Sequence, residues 1–174
     1  MTTSITKTFH VDFPIDAVWN NLTDPDKVVN CVPGASLTEK VDADNFKGEV
    51  ELKFGPVKAK YAGLITFLER DAATKKMVMK GVGTDSKGKG GADMQMNGQL
   101  VEKDGGTEVS VSMEVSVTGM LAQFGSRLIN DVTNQVFDQF VNNFKGQLAG
   151  QTVDNDLSAG SIMGGVLKGI FGTK

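Results

Sequence analysis

The fold is decided by the stretch TEVSVSMEVSVTGMLAQFGSRLINDVTNQVFDQFVNNFKGQL, which runs from Thr107 to Leu148. Its first part, through Val117, alternates between polar and apolar side chains, which is typical of a half-buried β-strand. The apolar spacing then changes to three and four residues, which is typical of an amphipathic helix. The apolar stripe of that helix consists of Leu121, Phe124, Leu128, Val132, Val136, Phe140, Phe144 and Leu148. We expect a helix of about thirty residues, about 45 Å long.

Six more strands are predicted upstream of this stretch. Residues 3–13 alternate and form the first strand. A short helix then opens at Pro14, and a second opens at Pro25 with Thr23 or Asp24 as its cap. From residue 35 onwards, alternating segments separated by turn residues predict the other strands. The fold class is therefore α+β, a seven-stranded curved antiparallel sheet around a long C-terminal helix, with two short helices between strands 1 and 2. A twisted sheet around so long a helix leaves a space between them.

Composition limits the function classes. The chain has 174 residues and a net charge of −3, so it lacks the basic footprint of a nucleic-acid-binding protein. No signal peptide and no membrane-spanning segment is recognisable, and the single cysteine excludes an internal disulfide. We expect one domain over residues 1–149, a flexible linker over 150–161 and a Gly-rich tail over 162–174, with the protein in the cytoplasm.

The tail has apolar residues on one helical face with lysine beside it. Such a segment is typical of a weak anchor at an anionic bilayer surface. Docking on protein and plain disorder remain open, because four glycines make the tail a poor helix in water. The residues assigned to the membrane anchor are Ile162, Met163, Val166, Leu167, Lys168, Ile170 and Phe171.

Residues suited to catalysis are scarce. His10 is the only histidine and lies on the polar face of its strand, so neither a histidine-based triad nor a histidine-rich metal site is available. Cys31 is interpreted as a small buried hydrophobe. The segment 83–90 resembles a P-loop but lacks the final Ser or Thr and precedes a strand, so a hairpin loop is expected. We predict no catalytic residue and no metal site.

Methionines and glycines on the inner strand faces point to a pocket for an apolar guest. Thioether side chains are flexible and polarizable, and glycines remove side-chain volume. Ordinary core filling by the methionines, and kinks at the glycines, are the alternatives. The glycines concerned are Gly48, Gly63, Gly81, Gly90 and Gly98. The residues assigned to ligand binding are Phe54, Tyr61, Phe67, Met77, Met79, Met94, Met96, Met113, Val117, Phe124 and Leu128.

Several short stretches carry a family resemblance: Phe13–Trp19, Cys31–Ala35, Phe46–Gly48, Lys53–Val57, Gly63, Gly81–Gly83 and Val117–Gly125. Together with the element order, they resemble the CoxG-like family of carbon monoxide dehydrogenase subunits, within the START/polyketide-cyclase superfamily, which has the helix-grip fold. The resemblance implies an accessory protein for a molybdenum-containing CO dehydrogenase or related hydroxylase, peripheral at the inner face of the cell membrane. It also implies a quinone-like ligand, menaquinone or another isoprenoid lipid, and carries over no catalytic residue.

Three functions remain as hypotheses. The first is a carrier of a quinone-like lipid that serves a membrane-linked redox enzyme. The second is a membrane tether or assembly factor whose interior is only a packed core. The third is an enzyme of the cyclase or aromatase kind, which would need acid–base groups inside the cavity, where the inner faces offer Tyr61 and little else.

Overall fold

A single seven-stranded antiparallel sheet is the central element of the described residues, in the order β1-β7-β6-β5-β4-β3-β2. The computed structural model describes residues 2–54, 57–88 and 90–150, so the predicted tail and nearly all of the linker lie outside the described residues. The elements are β1 Thr2–Val11, α1 Ile15–Leu22, α2 Pro25–Val29, β2 Ala35–Lys40, β3 Asn45–Phe54, β4 Val57–Asp71, β5 Lys76–Asp85, β6 Gly91–Lys103, β7 Gly106–Val117, a 3-10 turn Leu121–Phe124 and α3 Gly125–Leu148. The predicted fold class is confirmed.

The two short helices begin where the sequence predicts. Pro14 precedes α1 in an extended conformation, and its ring does not disturb the helix that follows. The side chain of Asp24 accepts a hydrogen bond from the backbone N–H of Asp26, and Pro25 occupies the first position of α2. Asp24 is therefore the cap. The buried residues of α1 are Val18, Trp19 and Leu22, three of the four predicted for its apolar face.

The predicted thirty-residue helix is wrong at its N-terminal end. Leu121–Phe124 form a separate 3-10 turn, and Gly125 has a φ of +91°, a conformation that glycine adopts without a Cβ penalty. The chain changes direction there, so α3 has 24 residues and a length of about 36 Å. Phe124 consequently leaves the apolar stripe, and 45% of its surface is exposed.

Directed hydrogen bonds hold the C-terminal half of α3 against α2 and the loop that follows it. The buried Asn143 donates through Nδ2 to the carbonyl oxygen of Cys31 at 3.0 Å, and Gln139 donates to Oδ1 of Asn143 at 3.1 Å. One turn further on, Gln147 donates to the carbonyl oxygen of Lys27 at 3.1 Å. Because buried polar groups cost free energy unless they are paired, these bonds fix the position of α3 relative to the loop.

The sheet has an apolar inner face that packs against the helices, and an outer face that is mostly polar but exposes Leu64, Val82 and Val101. The backbone of α3 approaches β1 more closely than any other strand, so the helix crosses near one edge of the sheet. No helix within the described ranges is long and apolar enough to cross a membrane.

Asn143→Ala should destabilise the domain by about 1–3 kcal/mol, because it leaves the Cys31 carbonyl buried without this donor. The neighbouring Asn142 is exposed, so Asn142→Ala is the matched control and should change stability by less than about 0.5 kcal/mol. Urea denaturation of both variants measures the difference. Equal stabilities would show that the hydrogen bond to Cys31 does not hold the helix in place.

Candidate site between the sheet and the long helix

The buried apolar side chains of the inner face form two separate clusters. The first contains Trp19, Phe67, Phe137, Phe144 and further residues of β1, β5, β6 and β7, and lies near α1 and α2. The second lies at the other end of the strands and consists of Ala59, Tyr61, Val117, Leu121 and Ile129. A filled interior ordinarily gives one contiguous core per domain, so the division separates two packed ends from a middle region.

The strand register brings three predicted methionines into one row. Met79 of β5 pairs with Met96 of β6, and Met96 pairs with Met113 of β7. Ile5 continues this row on β1, and Phe67 continues it on β4. All three methionines are only half-buried and pack against the edge of the first cluster. The row therefore forms an apolar boundary of the middle region.

A second row of inner-face residues lies four residues along each strand from the methionine row, and its side chains are almost absent. Gly48 of β3 pairs with Gly63, Gly63 pairs with Gly83, and Gly83 pairs with Ala92. These four residues are half-buried although they lie on the face that carries the buried core residues. The sequence alone did not place Gly83 and Ala92 in the site, because only the register shows that the four small residues align. Together the row forms a shallow trough across four strands, which we call the glycine trough.

Glycine occupies the positions of this inner-face row for different physical reasons. A Cβ at Gly63 would stand 2.2 Å from the carbonyl oxygen of Val82, and one at Gly48 would stand 2.8 Å from that of Ser36. At these two positions glycine is required by the close approach of neighbouring strands in a coiled sheet. A Cβ at Gly83 would meet nothing closer than 3.6 Å, so a side chain fits there. The sequence left two explanations for the inner-face glycines, removal of side-chain volume and bending of the sheet. Both apply within the glycine trough: the first at Gly83, the second at Gly48 and Gly63.

Two other glycines are covered by methionines. The Cε atom of Met77 lies 3.5 Å from the Cβ position of Gly98, and the Cε atom of Met94 lies 3.5 Å from that of Gly81. The buried Met77 thereby fills core volume, the alternative stated above, whereas the half-buried Met94 covers Gly81 with its thioether. Gly90 was assigned to an inner face incorrectly: it precedes β6, has a φ of +135°, and its Cβ would stand 2.3 Å from the carbonyl oxygen of Thr118.

The residues assigned to ligand binding fall into several groups. Phe124 does not belong with them, because the chain turns at Gly125 and leaves its ring exposed. The side chain of Phe54 lies outside the described residues. The fully buried members are Tyr61, Phe67, Met77 and Val117. The half-buried members, which face the middle region, are Met79, Met94, Met96, Met113 and Leu128. Ile65, which pairs with Gly81, also belongs to the half-buried lining and was not predicted.

The polar groups near the site are few and are poorly suited to acid–base work. Burial, and then the nearby Asp85, raise the pKa of Tyr61, so its phenol stays protonated at neutral pH. Burial raises the pKa of Cys31 to about 12, which keeps that thiol neutral. His10 lies on the other face, and its Nε2 donates to the carbonyl oxygen of Lys103 at 2.9 Å. Within the described ranges, no group of three or more His, Cys, Asp or Glu residues is placed to hold a metal ion.

A shallow depression also exists on the outer face of the sheet. It is lined almost entirely by polar side chains: Ser4, Gln95, Asn97, Ser112 and Glu114, with Met113. Because a lipophilic molecule gains little from such a surface, the inner face remains the candidate site for an apolar ligand.

Comparison with known proteins connects this architecture to a family. The sequence model that describes CoxG, a subunit of carbon monoxide dehydrogenase, matches residues 8–149. A conserved protein from Geobacillus kaustophilus has a similar structure, with a TM-score of 0.77, 21% identity, and coverage of 85% of this chain and 96% of that one. No curated protein matches the chain.

The other similar structures share the fold at lower identity. The Zhui aromatase/cyclase from Streptomyces sp. R1128 gives a TM-score of 0.63 at 13% identity, covering 85% of this chain and 94% of that one. TTHA0849 from Thermus thermophilus gives 0.63 at 7% identity, with 85% and 98% covered. At such identities the likeness establishes the helix-grip fold alone.

Two methionine variants distinguish packed core from an open ligand wall. Met77 is 3% exposed and fills the space over Gly98, so Met77→Ala should cost about 2–5 kcal/mol. Met96 borders the half-buried middle region, so Met96→Ala should cost clearly less and alter the affinity for an apolar ligand instead. Chemical denaturation and binding of a fluorescent lipid analogue measure the two effects. A full core penalty at Met96, with unchanged binding, would mean that the middle region is packed core.

Proposed function

Because the chain belongs to the CoxG family of carbon monoxide dehydrogenase subunits, we propose that it is a non-catalytic carrier of a quinone-like lipid for a membrane-linked redox enzyme. Family membership and the helix-grip fold support the coarser description, a ligand-binding accessory protein. The family name suggests a CO dehydrogenase or related molybdenum hydroxylase as the enzyme served. An isoprenoid quinone such as menaquinone suits the chemistry of the site.

The observation that carries the proposal is the half-buried apolar strip between the two core clusters. Methionines bound it on one side, and the glycine trough crosses it. Apolar side chains of the inner face that are covered by packing are buried, so the partial exposure here leaves apolar surface that a ligand can cover. A planar ring or an isoprenoid chain, lying over glycine backbone and against thioethers, would cover this surface.

Few polar groups converge on the strip, which suits a carrier better than a catalyst. The buried Gln139 and Asn143 bond each other and the Cys31 carbonyl, so they serve the fold. Tyr61 remains a neutral phenol, as described above, and can orient a carbonyl oxygen of a ligand by donating a hydrogen bond. The aromatase/cyclase neighbour shares only the fold, and nothing in the described part of the site favours the cyclase alternative over the carrier.

Membrane recruitment through the tail is the second part of the proposal and rests on sequence energetics. Burial of Ile162, Met163, Val166, Leu167, Ile170 and Phe171 yields roughly 1.5–3 kcal/mol each. Ordering about ten residues costs roughly 1–2 kcal/mol each, which nearly cancels that gain. Attraction of Lys168 to anionic lipid contributes about 1 kcal/mol more, which makes membrane attachment of the tail slightly favourable. The expected attachment is weak and reversible, and the linker lets the domain reach a nearby enzyme.

A side chain introduced into the glycine trough tests whether the protein carries a lipid there. Gly83→Val fits the backbone and projects into the glycine trough, so it should lower the amount of co-purified lipid severalfold while the domain remains folded. Ala62→Val adds apolar volume on the opposite, exposed face and is the matched control. Organic extraction followed by mass spectrometry identifies and quantifies the lipid. Absence of any isoprenoid lipid from the unmodified protein would leave the tether as the better hypothesis.

Removing the tail tests recruitment. Deletion of residues 157–174 should leave the melting temperature of the domain nearly unchanged and greatly reduce co-sedimentation with anionic liposomes. Ile170→Asp should reproduce the loss, since it places a charge on the apolar face, whereas Thr173→Asp, which adds the same charge outside the apolar set, should have a smaller effect. A much lower melting temperature of the truncated chain would mean that the tail packs on the domain.

A further inference from the structure

We propose that one end of the domain docks directly on an anionic lipid surface. This hairpin end consists of the described residues within 51–60, 85–91 and 118–128. The inference rests on the proposed carrier function and deepens it, because it states through which face the domain would meet the bilayer. The proposed docking surface consists of described residues only, and the tail is not part of it.

Hydrogen bonds bring the three segments of the hairpin end together. The backbone N–H of Ser86 donates to the carbonyl oxygen of Lys60 at 2.8 Å, which joins the turn after β5 to β4. The N–H of Thr118 donates to the carbonyl oxygen of Gly91 at 2.9 Å, and the N–H of Gly91 donates to the Thr118 hydroxyl at 3.0 Å. The 3-10 turn is thereby held beside both hairpins, and its Leu121 is buried in the second core cluster.

An exposed aromatic ring projects from this end. Within the four-residue 3-10 turn, Leu121 is 5% exposed and anchors the segment, while Phe124 is 45% exposed. The positive φ of Gly125 sends the chain away into α3, so the ring stays outside the helix's apolar stripe. An exposed phenylalanine on an anchored turn suits insertion at the level of lipid headgroups.

The charge of the hairpin end is opposite to that of the whole chain. Its described residues include five cationic side chains and two carboxylates, although the chain carries a net charge of −3. They are Lys53, Lys58, Lys60, Lys87 and Arg127, against Glu51 and Asp85. Glu51 lies 3.5 Å from Lys53 and 3.9 Å from Lys58, and Lys60 lies 3.7 Å from Glu49, so these pairs neutralise part of the excess. These exposed pairs are weak, and the lysines can turn to phosphate.

The other end of the domain is acidic. Its loops, strand ends and short helices carry twelve carboxylates against six cationic side chains over residues 12–27, 39–44, 69–76 and 102–108. Such a distribution attracts the hairpin end to an anionic surface and repels the opposite end, so it orients the domain. Phe124 and the lysines together favour a bilayer over an acidic protein or a second copy of the chain. Docking there also places the second core cluster, which ends the ligand strip, next to the lipid.

A fluorescent label at the hairpin end tests this docking in the full chain. Gln123 is exposed beside Phe124, and Glu102 is exposed at the acidic end, so Gln123→Cys and Glu102→Cys form a matched pair. The native Cys31 is 0% exposed and stays unlabelled. With an environment-sensitive maleimide dye, vesicles of phosphatidylglycerol and phosphatidylcholine should brighten and blue-shift the label at 123 and leave that at 102 unchanged. Pure phosphatidylcholine vesicles should have little effect.

Substitutions separate this surface from the tail. In the Gln123→Cys background, Phe124→Asp, or Lys53→Glu with Lys58→Glu, should weaken the response roughly tenfold or more. Ile170→Asp should reduce co-sedimentation yet leave a response at 123. Docking through this end is wrong if the chain co-sediments with vesicles while the label at 123 does not respond. It is also wrong if that label responds without vesicles as the protein concentration rises, because the end then contacts a second copy of the chain. Absence of any isoprenoid lipid from the unmodified protein would defeat the carrier hypothesis and leave this docking standing.

Discussion

The hydrogen bond from Asn143 to the Cys31 carbonyl determines how α3 sits on the sheet. It joins a residue of the last helix to the loop after α2, across 112 positions of sequence, and Gln139 bonds the same asparagine. At the other end, α3 is positioned by apolar contacts of Ile129 and, through the 3-10 turn, Leu121. One end of the helix is thus fixed by directed bonds and the other by contacts that tolerate sliding. The half-buried strip lies between these two kinds of attachment.

Much of this architecture was predictable because its signals are local. Period-two alternation identifies each strand and its inner face, and Asp24 with Pro25 marks the start of α2. The wrong assignment of Phe124 has an equally clear origin. Apolar spacing continues smoothly through residues 121–128, and only the backbone conformation of Gly125 reveals that the helix begins there. The alignment of Gly48, Gly63, Gly83 and Ala92 depends on register across four strands, which single-sequence periodicity does not contain.

The interior and the surface are organised along the same direction. Inside, the strands lead from the aromatic cluster around Trp19, past the methionine row, to the smaller cluster around Tyr61. Outside, they lead from an acidic end to a basic one. The half-buried apolar strip and the charge asymmetry of the surface therefore run in the same direction, since both follow the strand axis of one antiparallel sheet.

Cys31 has a consequence beyond packing. A thiolate is the nucleophilic form of cysteine, so an accessible sulfhydryl is open to attack on electrophiles and to oxidation. Here the only sulfhydryl of the chain is fully buried, and burial raises its pKa to about 12. The thiolate, which is the reactive form, is therefore almost absent at neutral pH, and the residue presents no surface to an approaching electrophile. The loop that receives the hydrogen bond from α3 therefore also keeps the one thiol of the chain chemically inert.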